Sequence, residues 1–148
     1  MFSRSATILI PVLVGALGLA TDARAQENGA GVTLKAYYPA DAACLVGANY
    51  GGLQNTCPRA VFVVDALSVP PGNHNTYVWL FGNNSFCQTA SLGTTGLPVH
   101  LGAETWTVSG PLHWQQLMTG VRFVSSATPV TFLCKLEPNG YIGTFAAE

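Results

Sequence analysis

The stretch that decides the fold reads Thr76-Tyr77-Val78-Trp79-Leu80-Phe81-Gly82-Asn83-Asn84-Ser85-Phe86-Cys87-Gln88-Thr89-Ala90. It begins with a run of β-branched, aromatic and aliphatic residues, a composition typical of a strand. Gly82, Asn83 and Asn84 tolerate the positive φ that a tight reversal requires, and a second β-rich run follows them. The segment predicts two strands joined by a turn. The first of them is apolar on both faces and is expected to lie at the centre of its sheet.

Short β-rich runs separated by turn clusters extend from this segment in both directions. Residues 32–38 and 60–67 predict strands upstream. Downstream, alternation of apolar and polar residues predicts a set of inward-facing side chains: Trp106, Val108, Val130, Phe132, Cys134 and Leu136. The connections are too short for crossover helices, so the strands should pair antiparallel. The sequence predicts an all-β, antiparallel, jelly-roll-like β-sandwich of seven to nine strands.

One segment, residues 111–118, allows a different interpretation. Trp114, Leu117 and Met118 fall at helical spacing, and Pro111 suits the first turn of a helix. The sequence therefore allows at most one short helix, and it allows it there.

Four cysteines predict two disulfide bonds: Cys44, Cys57, Cys87 and Cys134. Four cysteines permit three connectivities, of which we favour Cys44–Cys57 with Cys87–Cys134. The first pair brackets a Gly/Asn-rich segment, and the second would tie a central strand to one near the C-terminus. A metal or redox site is disfavoured because no Cys-x-x-Cys occurs and the spacings fit no compact ligand set.

The N-terminus has the pattern of a cleaved signal peptide. A basic residue, Arg4, precedes an uncharged apolar run that is shorter than a membrane-spanning helix, and Ala23-Arg24-Ala25 forms a small-x-small cleavage site. We expect residues 1–25 to be removed and residues 26–148 to form a single β-sandwich domain. The product is then exported to the periplasm or secreted, with no membrane span in the mature chain.

Charge argues against two classes of partner. Four basic and six acidic residues follow position 25, which gives a net charge of −2. Binding to nucleic acid requires clustered Lys and Arg that neutralise phosphates, and scattered cations cannot provide this. The sequence therefore predicts that the protein does not bind nucleic acid, and the same argument holds for an anionic membrane surface.

No segment carries a catalytic, metal or cofactor motif. His74, His100 and His113 lack the spacing of a metal site, and the Gly-x-Ser-x-Gly elbow of serine hydrolases does not occur. Asp65 interrupts an apolar run, and we interpret it as a residue that hydrogen-bonds the following turn. The sequence predicts no catalytic residue, no metal and no cofactor.

Uncharged polar and aromatic residues remain as candidates for ligand binding. Trp79 and Trp106 are predicted to lie in the core, where large aromatic residues belong. The loop predicted over residues 47–56 and the Gly82–Asn84 turn are expected at one end of the sandwich, where loops commonly bind ligands. The predicted binding residues are Asn49, Tyr50, Asn55, Asn83 and Asn84.

These observations favour an exported, non-catalytic binding or structural protein of the periplasm or cell surface. Its partner would be a carbohydrate, recognised by uncharged polar groups and aromatic rings, or an extracytoplasmic protein. Two alternatives stay open: a small secreted hydrolase without a recognisable motif, and an inhibitor of a secreted hydrolase that uses the loop between Cys44 and Cys57.

Overall fold

The computed structural model describes residues 27–48, 51–92, 98–124 and 129–148. The predicted leader lies outside these ranges, so its cleavage stays a prediction. Twelve strands form within the described residues: β1 (Glu27–Ala30), β2 (Lys35–Ala36), β3 (Leu45–Ala48), β4 (Gly52–Asn55), β5 (Val61–Ser68), β6 (Gly72–Phe81), β7 (Phe86–Leu92), β8 (Pro98–Leu101), β9 (Thr105–Trp106), β10 (Trp114–Val124), β11 (Pro129–Leu136) and β12 (Tyr141–Ala147).

The strands form two six-stranded antiparallel sheets. The front sheet has the order β10-β6-β12-β4-β3, with β1 pairing the C-terminal half of β12. The back sheet has the order β2-β5-β11-β7-β8, with β9 pairing the first residues of β7. The prediction of an all-β antiparallel sandwich is confirmed. The strand number exceeds the predicted seven to nine because several edge strands are very short.

Inward-facing side chains of the two sheets form one hydrophobic core. In β11 burial alternates strictly, and Val130, Phe132, Cys134 and Leu136 are all fully buried, as the sequence predicts. Phe132 of the back sheet meets Phe145 of the front sheet with ring centroids 4.9 Å apart. Burying each such side chain stabilises the fold by about 1.5–3 kcal/mol relative to an exposed position, so this contact is central in holding the sheets together.

Two disulfides form, with the predicted pairing. Cys87 and Cys134 face each other on the neighbouring strands β7 and β11, with their Cα atoms 4.1 Å apart. Cys44 and Cys57 bracket β3 and β4, with Cα atoms 5.0 Å apart.

Several local predictions were wrong. The segment predicted as a possible helix begins β10, which pairs with β6 through Trp114 opposite Phe81. The helical content of the described residues is two 3-10 turns, Gly31–Thr33 and Pro39–Cys44. The loop predicted over residues 47–56 contains paired strands, since β3 and β4 form an antiparallel ladder. Trp106 and Val108, predicted to face inward, are 46% and 70% exposed.

The turn after β6 does not close a hairpin. It reverses the chain, as predicted, but β6 belongs to the front sheet and β7 to the back sheet. Strands that are adjacent in sequence therefore lie in opposite layers. Each finds its neighbours elsewhere along the chain, β6 beside β10 and β12, and β7 beside β11.

A polar cluster lies between the sheets around Arg122, which is 8% exposed. Its Nε donates to the carbonyl oxygen (3.0 Å) and hydroxyl (2.8 Å) of Thr89, and its Nη2 donates to the carbonyl oxygen of Thr119 at 2.5 Å. The hydroxyl of Thr119 donates to that of Thr76 at 2.7 Å. Burial lowers the pKa of Arg122 below its usual value by removing water from the guanidinium. These bonds satisfy polar groups that would otherwise be costly to bury.

Candidate functional site

The predicted site residue Asn55 is fully buried. Its Nδ2 donates to the carbonyl oxygens of Arg59 at 2.8 Å and Leu136 at 3.0 Å, and its Oδ1 accepts from the backbone N–H of Cys57 at 3.0 Å. The amide thus joins the segment after β4 to the end of β11. The structure gives Asn55 a role in the interior of the fold and no surface that a ligand could reach.

Asn83 and Asn84, two further predicted residues, lie in the turn between β6 and β7. Nδ2 of Asn83 donates to the carbonyl oxygen of Gly110 at 2.9 Å, and Oδ1 of Asn84 accepts from Oγ of Ser109 at 3.4 Å. These bonds hold the turn against the segment that leads into β10, and a ligand role for the pair stays a prediction. Two predicted residues lie outside the described part of the chain: Asn49 and Tyr50.

The front sheet instead exposes two tryptophans on its outer face. Trp79, predicted to lie in the core, is 40% exposed, and Trp114 is 44% exposed. The prediction for Trp79 was wrong because successive side chains of a strand point to opposite faces. Val78 and Leu80 occupy the inward positions of β6 and are fully buried, so Trp79 faces outward. Both sets of alternating residues in this run are apolar, so the sequence offers no signal that decides the orientation.

Trp114 lies across the front sheet. Its ring centroid is 5.7 Å from that of Phe81 and 6.5 Å from that of Tyr141. A Cβ atom added to Gly143 would lie 3.0 Å from Cζ3 of this indole, 3.2 Å from Cη2, and 3.8 Å from Cβ of Trp79. Because β6 separates β10 from β12, the indole reaches across β6 and occupies the space that Gly143 leaves open. Trp114 and Trp79 therefore both flank Gly143.

A groove of about 240 Å³ adjoins Trp79 on the same face. Tyr77 and Trp79 of β6 supply aromatic surface, Gln116 of β10 supplies an amide, and Thr144 of β12 supplies a hydroxyl. Glu148, whose backbone pairs with Asn75 (N–O distances of 2.8 and 2.9 Å), lines one end. We call this groove, together with Trp114, the aromatic face. It combines flat apolar surface with neutral hydrogen-bonding groups.

The outer face of the back sheet carries a different aromatic arrangement. Ring centroids lie 6.3 Å apart for Tyr38 and Phe62, 6.2 Å for Phe62 and Phe86, and 4.6 Å for Phe86 and Trp106. Phe86 is buried beneath these contacts, and Nζ of Lys135 lies 5.5 Å from the centroid of the Trp106 ring. The Trp106 ring thus contacts its own protein through Phe86 and Lys135, whereas Trp79 borders an open groove.

Asp65 and His74 both form hydrogen bonds within the protein. Within β5, the carboxylate of Asp65 accepts from Oγ1 of Thr33 at 2.5 Å and from the backbone N–H of Ala66 at 2.8 Å. Buried His74 has its Nε2 2.8 Å from the carbonyl oxygen of Pro70. Among the described residues, no group of three or more His, Cys, Asp or Glu side chains could hold a metal ion. No helix in the described ranges is long and apolar enough to span a membrane.

Three solved structures are similar to this chain in fold. The carbohydrate-binding module TmCBM61, solved with β-1,4-galactotriose, has a TM-score of 0.45 at 11% identity, over 84% of this chain and 88% of its own. The C-terminal CBM6 of LamC, a laminarinase of Zobellia galactanivorans, has a TM-score of 0.47 at 11% identity, over 82% and 98%. The enzymatically active domain of bacteriophage CBA120 tailspike protein 4 has a TM-score of 0.42 at 12% identity, over 83% and 18%.

Likeness at these identities and TM-scores says nothing about a ligand. No protein-family model matches the sequence, and no curated protein matches it.

Proposed function

We propose that this protein is an exported, non-catalytic binding protein that recognises carbohydrate through the aromatic face. The observation that carries the proposal is the exposure of Trp79 and Trp114 side by side, 40% and 44%, next to a groove lined by neutral polar groups. Large exposed apolar surface of this kind commonly marks a binding site.

The chemistry of the aromatic face suits a sugar ring. A pyranose presents C–H groups on its faces and hydroxyls around its edge. An indole can cover the C–H groups without any charge, because an aromatic ring offers a large and rigid apolar area. Gln116, Thr144 and the hydroxyl of Tyr77 can donate to and accept from the hydroxyls. Small-molecule sites usually combine an apolar surface with a few polar groups in this way.

Export is part of this proposal. The predicted leader directs the chain out of the cytoplasm. Two disulfides join all four cysteines, as is usual for proteins in the periplasm or outside the cell. Polysaccharides of the cell surface and its surroundings are the carbohydrates within reach there.

The groove favours binding over glycoside hydrolysis. Most glycosidases need two carboxylates on either side of the scissile bond. Among the described residues that line the groove, Glu148 is the one with a carboxylate side chain.

The test is affinity electrophoresis against a panel of neutral soluble polysaccharides, followed by calorimetry on oligosaccharides of those that retard migration. We expect Trp79→Ala and Trp114→Ala each to weaken binding by about tenfold, since each removes an aromatic contact worth about 1–1.5 kcal/mol. Trp106→Ala is the matched control because it removes a tryptophan of similar exposure from the other sheet. Equal weakening by all three variants, or no retardation by any polysaccharide, contradicts the proposal.

A further inference from the structure

We infer that the groove selects an amino sugar, whose ammonium group is bound between Glu148 and the rings of Tyr77 and Trp79. This rests on the proposed function and adds the class of sugar. The observation is that the carboxylate-bearing residue and both aromatic residues line the same groove, while every basic residue in the described part of the chain lies elsewhere.

The positions of the four basic residues establish this asymmetry of charge. Lys35 lies in β2 of the back sheet, and Lys135 forms an ion pair with Glu137 on the outer face of that sheet. The other two are engaged with their own protein. Arg59 donates to the carboxylate of Asp41 at 2.5 Å, and Arg122 is bonded to buried threonines between the sheets. None of the four lines the groove.

A carboxylate with no cation beside it determines which charge a ligand in the groove should carry. It attracts an ammonium group and repels the carboxylate or sulfate of an acidic sugar. Aromatic rings strengthen the attraction of an ammonium group, because a cation within about 6 Å of a ring centroid is attracted by the negative face of the ring. Glu148, Tyr77 and Trp79 thus supply both kinds of attraction to one cation, and none of the described residues that line the groove offers a positive group to an anion.

The volume of the groove limits how much of the ligand enters it. At about 240 Å³ it lies below the roughly 300–1,000 Å³ of sites that hold drug-sized molecules. One sugar ring therefore fills it, and the neighbouring ring of the same chain lies over Trp114, which adjoins Trp79 at Gly143. The bound species is a chain whose unit at the groove carries a free amine.

The experiment compares three β-1,4-linked hexasaccharides that differ in the charge of their substituents. They are the glucosamine hexamer, the N-acetylglucosamine hexamer and C6-oxidised cellohexaose, measured by calorimetry at low ionic strength and slightly acidic pH. We expect the wild-type protein to bind the glucosamine hexamer about five- to tenfold more tightly than the N-acetylated one, in the range of an exposed ion pair with a cation–π contact. The oxidised chain should bind most weakly.

Variants at Glu148 identify the source of the preference. Glu148→Gln should abolish the difference between the glucosamine and N-acetylglucosamine hexamers, and Glu148→Lys should reverse the order in favour of the oxidised chain. Glu104→Gln is the matched control, because it removes an exposed carboxylate outside the groove and so corrects for the general attraction of a cationic chain to an acidic protein.

The outcomes separate this inference from the proposed function. Persistence of the amine preference in Glu148→Gln, its loss in Glu104→Gln, or equal binding of the first two hexamers by the wild type overturns the inference. So does failure of the glucosamine hexamer to bind. The proposed function is decided independently by the neutral panel and by Trp79→Ala, so it can stand when the inference fails.

Discussion

Gly143→Ala tests the geometry of the aromatic face without removing any aromatic residue. The new Cβ would lie 3.0 Å from Cζ3 of Trp114, whereas ordinary contacts of this kind are 3.4–4 Å. The indole must therefore withdraw by a few tenths of an ångström, about 0.4 Å to reach 3.4 Å. A displacement near 0.5 Å forfeits about a quarter of the dispersion energy of a contact. For a stacking contact of about 1.5 kcal/mol, the loss is about 0.4 kcal/mol, or roughly twofold in Kd.

The assay is calorimetric titration of the tightest-binding neutral oligosaccharide, with tryptophan emission recorded in parallel. Gly47→Ala is the control, because a Cβ at this position in β3 of the same sheet meets nothing within 4 Å. Gly143→Val should weaken binding further, towards the effect of Trp114→Ala. An unchanged Kd for both Gly143 variants, with Trp114→Ala still weakening binding, would refute the placement of the indole over Gly143.

Three further predictions concern the stability of the fold. Arg122→Met should lower the free energy of unfolding, measured by urea titration, by about 2–3 kcal/mol, because charge-assisted hydrogen bonds to buried threonines are lost. The control is Lys35→Met, at an exposed position, which should change the free energy of unfolding by less than about 0.5 kcal/mol. The double variant Cys87→Ala/Cys134→Ala should lose about 4 kcal/mol, the chain-entropy value for its 47-residue separation, and a loss below about 1 kcal/mol would contradict that model. Asn84→Val should cost about 1–2 kcal/mol by calorimetric melting because its φ is 55°, whereas Asn84→Gly should cost little, and equal melting temperatures would refute this account.

Strict alternation made part of the fold predictable. In β11 every second residue is apolar, so Phe132 and Leu136 could be placed in the core from the sequence. The disulfide pairing was also favoured on a local feature of the sequence, because one pair of cysteines closes a short segment. Neither inference needs knowledge of which strands are neighbours.

Orientation was not predictable where both alternating positions are apolar. In β6 the run from Tyr77 to Phe81 offers two apolar faces, and the sequence pattern does not state which one the other sheet covers. Trp114, Leu117 and Met118 share helical spacing, yet pairing with β6 makes the segment a strand in which Leu117 is buried and its two companions are exposed. The aromatic face was missed because it depends on which face of β6 the other sheet covers and on the pairing of β10 with β6.

The position of β12 also constrains when the aromatic face can form. This strand contributes Gly143 and Thr144 to the aromatic face and pairs with β1, β4 and β6. A chain synthesised from its N-terminus therefore has most of its length in place before the front sheet can close. Pairing between strands so distant in sequence slows folding. A translation product that stops before residue 141 lacks the strand that carries Gly143 and Thr144, so under the proposed function it should not bind carbohydrate.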